Sequence, residues 1–109
     1  MEVWSPDALK EEIEKGGVVF LKLWKRGCGA CKLSIPALDR IEPVYADQAV
    51  FGQVAADEHP EMLEIAETDV LPVFFIFKNK EMTGKHVGFK GLKSLQEFVE
   101  KELGAPAKK

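Results

Sequence analysis

Apolar and polar positions along the chain divide it into eight elements, with room for a short strand at Val3-Trp4 ahead of them. Ser5-Pro6-Asp7 reads as a helix start, with Ser5 as N-cap, Pro6 at the first helical position and Asp7 complementing the dipole. Ala8, Leu9 and Ile13 give that helix a short apolar stripe, and Gly16-Gly17 ends it. Val18 to Trp24 is almost continuously apolar, the pattern of a strand covered on both faces. The run from Arg26 to Cys31 turns into a second helix, whose Leu33, Ala37, Leu38, Ile41, Val44 and Tyr45 recur at helical spacing. Pro36 lies inside that helix and predicts a kink, because it donates no backbone hydrogen bond.

Val50 to Ala56 reads as another buried strand, and His59-Pro60-Glu61 opens a short helix carrying Met62, Leu63, Ile65 and Ala66. Val73 to Phe77 is a further strand, and Lys78-Asn79-Lys80-Glu81 is a hairpin turn into an edge strand ending near Gly88. After Gly91, the spacing of Leu92, Leu95, Phe98, Val99 and Leu103 predicts a last helix. The order α-β-α-β-α-β-β-α implies a mixed sheet sandwiched by helices. Trp24, Phe74, Phe75 and Phe77 read as core. No repeat or internal linker interrupts residues 1–109, so one domain is expected, with a frayed tail over 104–109.

Composition narrows the function classes without choosing one. The 109 residues are 46% apolar and 30% charged, the balance of an ordinary globular domain. With 15 basic and 18 acidic side chains the formal charge is -3, which gives no footprint for nucleic acid or an anionic membrane surface. The longest apolar run, Val70 to Phe77, falls far short of the roughly 20 residues of a membrane span. Met1 to Trp4 lacks the basic start and apolar stretch of a signal peptide, so the chain is expected in the cytosol.

Chemistry concentrates in Cys28-Gly29-Ala30-Cys31, which holds both cysteines. Two intervening residues in the first helical turn bring the sulfurs within bonding reach. The helix N-terminus favours thiolate over thiol at Cys28, which is expected exposed, whereas Cys31 lies one turn inside and shielded. In open α/β sheets ligands bind beyond the carboxyl ends of strands, where this motif sits. Other readings of the pair remain open: half of a thiolate metal site completed by a second copy, or two inert buried cysteines. No second pair occurs, and His59 and His86, read as surface residues, lack a ligand-like spacing to the cysteines.

The sequence resembles the thioredoxin family from about Val3 to Leu103. Phe20 to Lys32 matches that family's strand-to-active-site stretch, Pro36 its helix-kinking proline, and Val70 to Asn79 the stretch carrying a cis-proline beside the disulfide. Gly88 and the pattern through Leu95 and Phe98 match the remaining end. The resemblance implies a three-layer α/β/α sandwich around a central mixed sheet of four or five strands. It makes Cys28 the attacking nucleophile and Cys31 the resolving thiol of a redox-active disulfide, with no cofactor. It places Trp24, Lys22, Gly29, Ala30, Leu71 and Pro72 around the sulfurs, with Pro72 cis. It also assigns Gly27, Leu71 and Gly88 to substrate contact. The implied partners are disulfide-containing proteins and a separate reductase of the thioredoxin-reductase type, with the chain itself a monomer.

Four departures from that family stand out. Ala30 replaces a proline, Gly27 a tryptophan, Lys22 the buried acid and Gln53 the lysine paired with it. They leave dithiol chemistry in place and bear on redox potential and partner choice. The leading expectation is a cytosolic dithiol reductase of protein disulfides; an oxidase or isomerase on the same fold, and a non-catalytic scaffold, are the alternatives. Lys22 shares a strand face with Phe20 and Trp24, beneath the sulfurs on the resemblance. There a charged ammonium would stabilise thiolate and a neutral amine could accept the Cys31 proton; the alternative is a stem along the core with its ammonium in water.

Overall fold

A computed structural model of the chain describes residues 1–104. Nine elements follow in order: β1 (Glu2–Val3), α1 (Pro6–Glu14), β2 (Val18–Trp24), α2 (Gly29–Tyr45), β3 (Val50–Ala55), α3 (Glu61–Ala66), β4 (Val73–Lys78), β5 (Glu81–Val87) and α4 (Leu92–Leu103). They match the elements read from the pattern, with the optional first strand present but one residue earlier. Ser5 caps α1 as expected, its hydroxyl accepting from the Ala8 N–H at 3.1 Å. Gly104, placed at the start of the frayed tail, is instead held: its N–H donates to Glu100 and its carbonyl accepts from the Tyr45 hydroxyl at 2.9 Å. The rest of that tail, 105–109, lies outside the described residues.

The strands form one sheet in the order β1-β3-β2-β4-β5. β1 and β2 run parallel to β3, whereas β4 runs antiparallel to both β2 and β5. β2 is therefore covered on both edges and both faces, which its continuous apolar run requires. Side-chain alternation splits the interior into two cores. Val19, Leu21, Leu23, Val73 and Phe75 pack with Leu9 of α1 and Met62 of α3. Phe20, Phe74 and Ile76 pack on the opposite face with Leu38 and Ile41 of α2 and Leu95 and Val99 of α4. Phe20 stacks on Phe51 at 4.8 Å between ring centres, anchoring the second core.

Three apolar residues expected in helix stripes point to water: Leu33 is 69% exposed, Val44 42% and Ile65 62%. In α2 the buried arc runs through Ser34, Leu38, Ile41 and Tyr45. At about 100° per residue, Leu33 lies roughly 100° off Ser34, outside that arc. A polar residue, Ser34, takes the buried position because its hydroxyl is satisfied within the helix. His86, expected at the surface, is half-buried. It stacks on Phe98 at 5.1 Å and its Nε2 is buried without a partner, so burial, aided by nearby Lys90, holds its pKa below the ordinary value. Phe77, expected in the core, is only partly buried, at the edge of the first core.

Two positions carry stability tests. At the β4–β5 turn, Asn79 and Lys80 have φ of 53° and 74°, the mirror-image turn that hairpin twist favours. Lys80→Gly relieves left-handed strain and should stabilise by up to ~1 kcal/mol after the entropy that glycine returns to the unfolded chain. An unchanged or lower urea midpoint would count against that geometry. On β3, a Cβ at Gly52 would overlap the Trp4 indole, which lies flat over the strand. Gly52→Ala should cost about 1–3 kcal/mol in the same assay.

Candidate active site

Strand β2 ends at Trp24, and four residues carry the chain to Gly29 at the first turn of α2. The reversal is made at Gly27, whose φ of 76° suits glycine, with no neighbour within 4 Å of a would-be Cβ. Cys28 then occupies the N-cap of α2, its sulfur accepting from the Cys31 N–H at 3.1 Å. Cys28 and Cys31 are disulfide-bonded with 5.2 Å between their Cα atoms. Cys28 is half-buried at the rim, whereas Cys31 is 3% exposed. Gly29 is exposed and Ala30 half-buried, so the link between the sulfurs faces solvent.

The other wall comes from the chain entering β4. The Leu71–Pro72 peptide is cis, and the Leu71 carbonyl oxygen lies 3.7 Å from Cys28 Sγ. Gly88, with φ of 81°, donates its N–H to the Pro72 carbonyl at 2.7 Å. Gly88 thus lies beside the Leu71–Pro72 segment. The third wall is Trp24, half-buried rather than part of the core, with its Nε1 enclosed and unpartnered. Arg26 lies over its ring at 5.4 Å.

Arg26 was not singled out from the sequence, although it braces the loop. Its guanidinium meets Asp57 at 2.9 Å and Glu58 at 2.8 Å. The hydrogen bond from Arg26 pulls the Asp57 pKa below the usual carboxylate range. The signal was available in the pairing of parallel strands: Trp24 lies opposite Ala55, so residues just past both strand ends must meet.

Lys22 is the one charged side chain in the interior among the described residues, at 3% exposure. It projects to the α2 side of the sheet, where its Nζ donates to the Cys31 carbonyl at 3.1 Å. That carbonyl also accepts from Ser34 Oγ at 2.6 Å. The ammonium is therefore tied to the main chain of the second cysteine and all but closed off from water, at the base of the cleft beside the disulfide. Burial lowers its pKa, opposed by the Asp39 carboxylate. Gln53, opposite Lys22 on β3, donates to the Met1 carbonyl at 3.1 Å.

A dithiol pair that opens and closes at a helix N-terminus, beside the half-buried main chain of Leu71 and Gly88, can exchange disulfides with another chain. Comparison with known proteins points the same way. The family model for thioredoxin matches residues 1–101. The chain belongs to the thioredoxin family. Curated thioredoxins of Staphylococcus saprophyticus and Bacillus subtilis are 32% and 31% identical to it, over 82% and 80% of this chain and 86% and 84% of theirs. Among solved structures, Malassezia sympodialis thioredoxin superposes with a TM-score of 0.82 at 27% identity, covering 96% of this chain and 91% of that one. Plasmodium falciparum thioredoxin gives 0.84 at 24% identity, covering 93% and 98%. The chain is accordingly a thiol–disulfide oxidoreductase, a protein-disulfide reductase of the thioredoxin type. Among the described residues no helix is long and apolar enough to cross a membrane.

Lys22 carries a stability test with a defined pH dependence. A cation whose pKa falls on folding binds fewer protons in the native than in the unfolded state. It opposes folding below its lowered pKa, and the penalty fades as pH rises from there toward 10.5. Lys22→Met should therefore stabilise the oxidised protein at pH 7 by about 1 kcal/mol, since Ser34 still satisfies the Cys31 carbonyl. The gain should shrink in unfolding experiments at higher pH, and a gain independent of pH would contradict the buried charge.

Proposed function

We propose that the chain is a cytosolic, monomeric dithiol carrier in which Cys28 attacks and Cys31 resolves. The observation that carries this reading is the contrast in access: Cys28 lies at the rim on the helix N-cap, while Cys31 is buried behind it. In the reduced protein the unpaired N–H groups of the first turn favour thiolate at Cys28. That thiolate attacks one sulfur of a substrate disulfide, forming a mixed disulfide and expelling the other substrate sulfur as thiolate, which takes a proton from water. Cys31 loses its proton and attacks Cys28 Sγ, releasing the second substrate thiolate and closing the Cys28–Cys31 disulfide. Two electrons pass from the carrier to the substrate, and a separate dithiol reductase returns them.

Leu71 and Gly88 supply the edge along which the substrate chain lies, and Gly27 leaves the approach to Cys28 open. Trp24, Gly29, Ala30 and Pro72 shape the surround. Lys22 gives a specific reason to weigh the oxidising alternative. Its ammonium, buried next to Cys31, stabilises the dithiol form carrying a thiolate and makes the carrier a weaker reductant.

Limited alkylation of the reduced protein should label Cys28 before Cys31, and Cys28→Ser should abolish insulin reduction. Cys31→Ser should accumulate the mixed disulfide. Preferential labelling of Cys31 would reverse the two roles. Lys22→Met should raise the Cys28 thiolate pKa, read from alkylation rate against pH, and yield the stronger reductant against glutathione. An unchanged thiolate pKa with slowed turnover would make Lys22 the proton acceptor of Cys31 instead, and both unchanged would remove it from the redox chemistry.

A further inference from the structure

A groove of about 660 Å³ opens on one flank of the disulfide, lined by both cysteines and reaching back to Gln53. Neither Leu71, Pro72 nor Gly88 lines it, so a substrate limb lying along Leu71 leaves it free. Its charge is one-sided. Lys22, Lys25, Arg26 and Lys32 all contribute to its walls, and no carboxylate does. Counting against these four cations the two carboxylates that Arg26 holds, Asp57 and Glu58, and Asp39, which acts on Lys22, still leaves 4 − 3 = 1 positive charge in excess. The chain as a whole carries -3, so this surplus opposes the overall balance. Among the described residues, Lys22, Lys25 and Lys32 form no ion pair. Lys25 and Lys32 are exposed, one on each side of the motif.

A protein disulfide joins two cysteines and so brings two limbs of chain to the site. We propose that the groove takes the limb not laid along Leu71, and that it selects substrates whose disulfide is flanked by acidic residues. This inference rests on Cys28 being the attacking sulfur, because the groove borders it. Apolar contact is supplied by Trp24 and Ile35, and the lysines supply sign. Charges at the mouth act mainly on encounter, so the preference falls on kcat/KM and weakens with salt.

The test uses the reduced full chain and three disulfide peptides of one length, with the cysteines flanked by Glu, Gln or Lys. At low ionic strength the Glu peptide should be reduced about tenfold faster in kcat/KM than the Lys peptide. The ratio should fall below about twofold at about 0.5 M salt. The double substitution Lys25→Glu with Lys32→Glu should invert the order of the three peptides. Equal rates for all three, or an order unchanged in the double variant, would overturn the acidic preference and leave the reductase reading standing. Reduction that survives Cys28→Ser would instead remove the reading on which the preference rests.

Discussion

Everything at the active site hangs from the burial of one strand. β2 is held between β3 and β4, and its residues alternate between the two cores. A strand so enclosed has no freedom of register, because a slip of one residue would send Phe20 to the wrong face and Leu21 into the helix pair behind the sheet. Its carboxyl end therefore arrives at a fixed height, and so does the turn that presents Cys28. The same constraint brings the end of β3 alongside, delivering Asp57 and Glu58 to Arg26. The antiparallel partner β4 starts at Val73, directly after the Leu71–Pro72 peptide, and sets that peptide against the sulfur. Three separate stretches of sequence meet because one strand cannot move.

Much of this was legible in the amino-acid pattern. Continuous apolar runs marked β2 and β4, Ser5 and Pro6 marked a helix start, and the spacing of Cys28 and Cys31 after a strand located the chemistry. The cis peptide at Pro72 came from resemblance, since a proline at a strand entrance looks the same in either isomer. What the pattern misjudged were residues whose burial depends on a partner distant in sequence. Leu33 faces water and Ser34 is buried because the sheet touches one narrow arc of α2, and a hydroxyl can satisfy itself on the helix backbone. His86 is half-buried because α4 brings Phe98 over it. Such contacts leave no local periodicity to read.

Lys22 shows how a charged side chain can sit in the interior of this fold without altering its architecture. The strand tolerates it because one backbone carbonyl and a distant carboxylate offset part of the cost of burying an ammonium. The scaffold thus holds a cation at an interior point beside the second cysteine, where the resemblance leads one to expect an acid.

The bond from Tyr45 to the Gly104 carbonyl has a geometric consequence for anything joined to the chain there. Helix α2 is 17 residues long, and the disulfide sits at its first turn while Tyr45 ends it. At about 1.5 Å per residue that places Gly104 roughly 25 Å from the sulfurs, at the far pole of the helix. A solid support or rigid fusion attached beyond Gly104 would leave the reactive pole facing outward, with the helix as a built-in standoff.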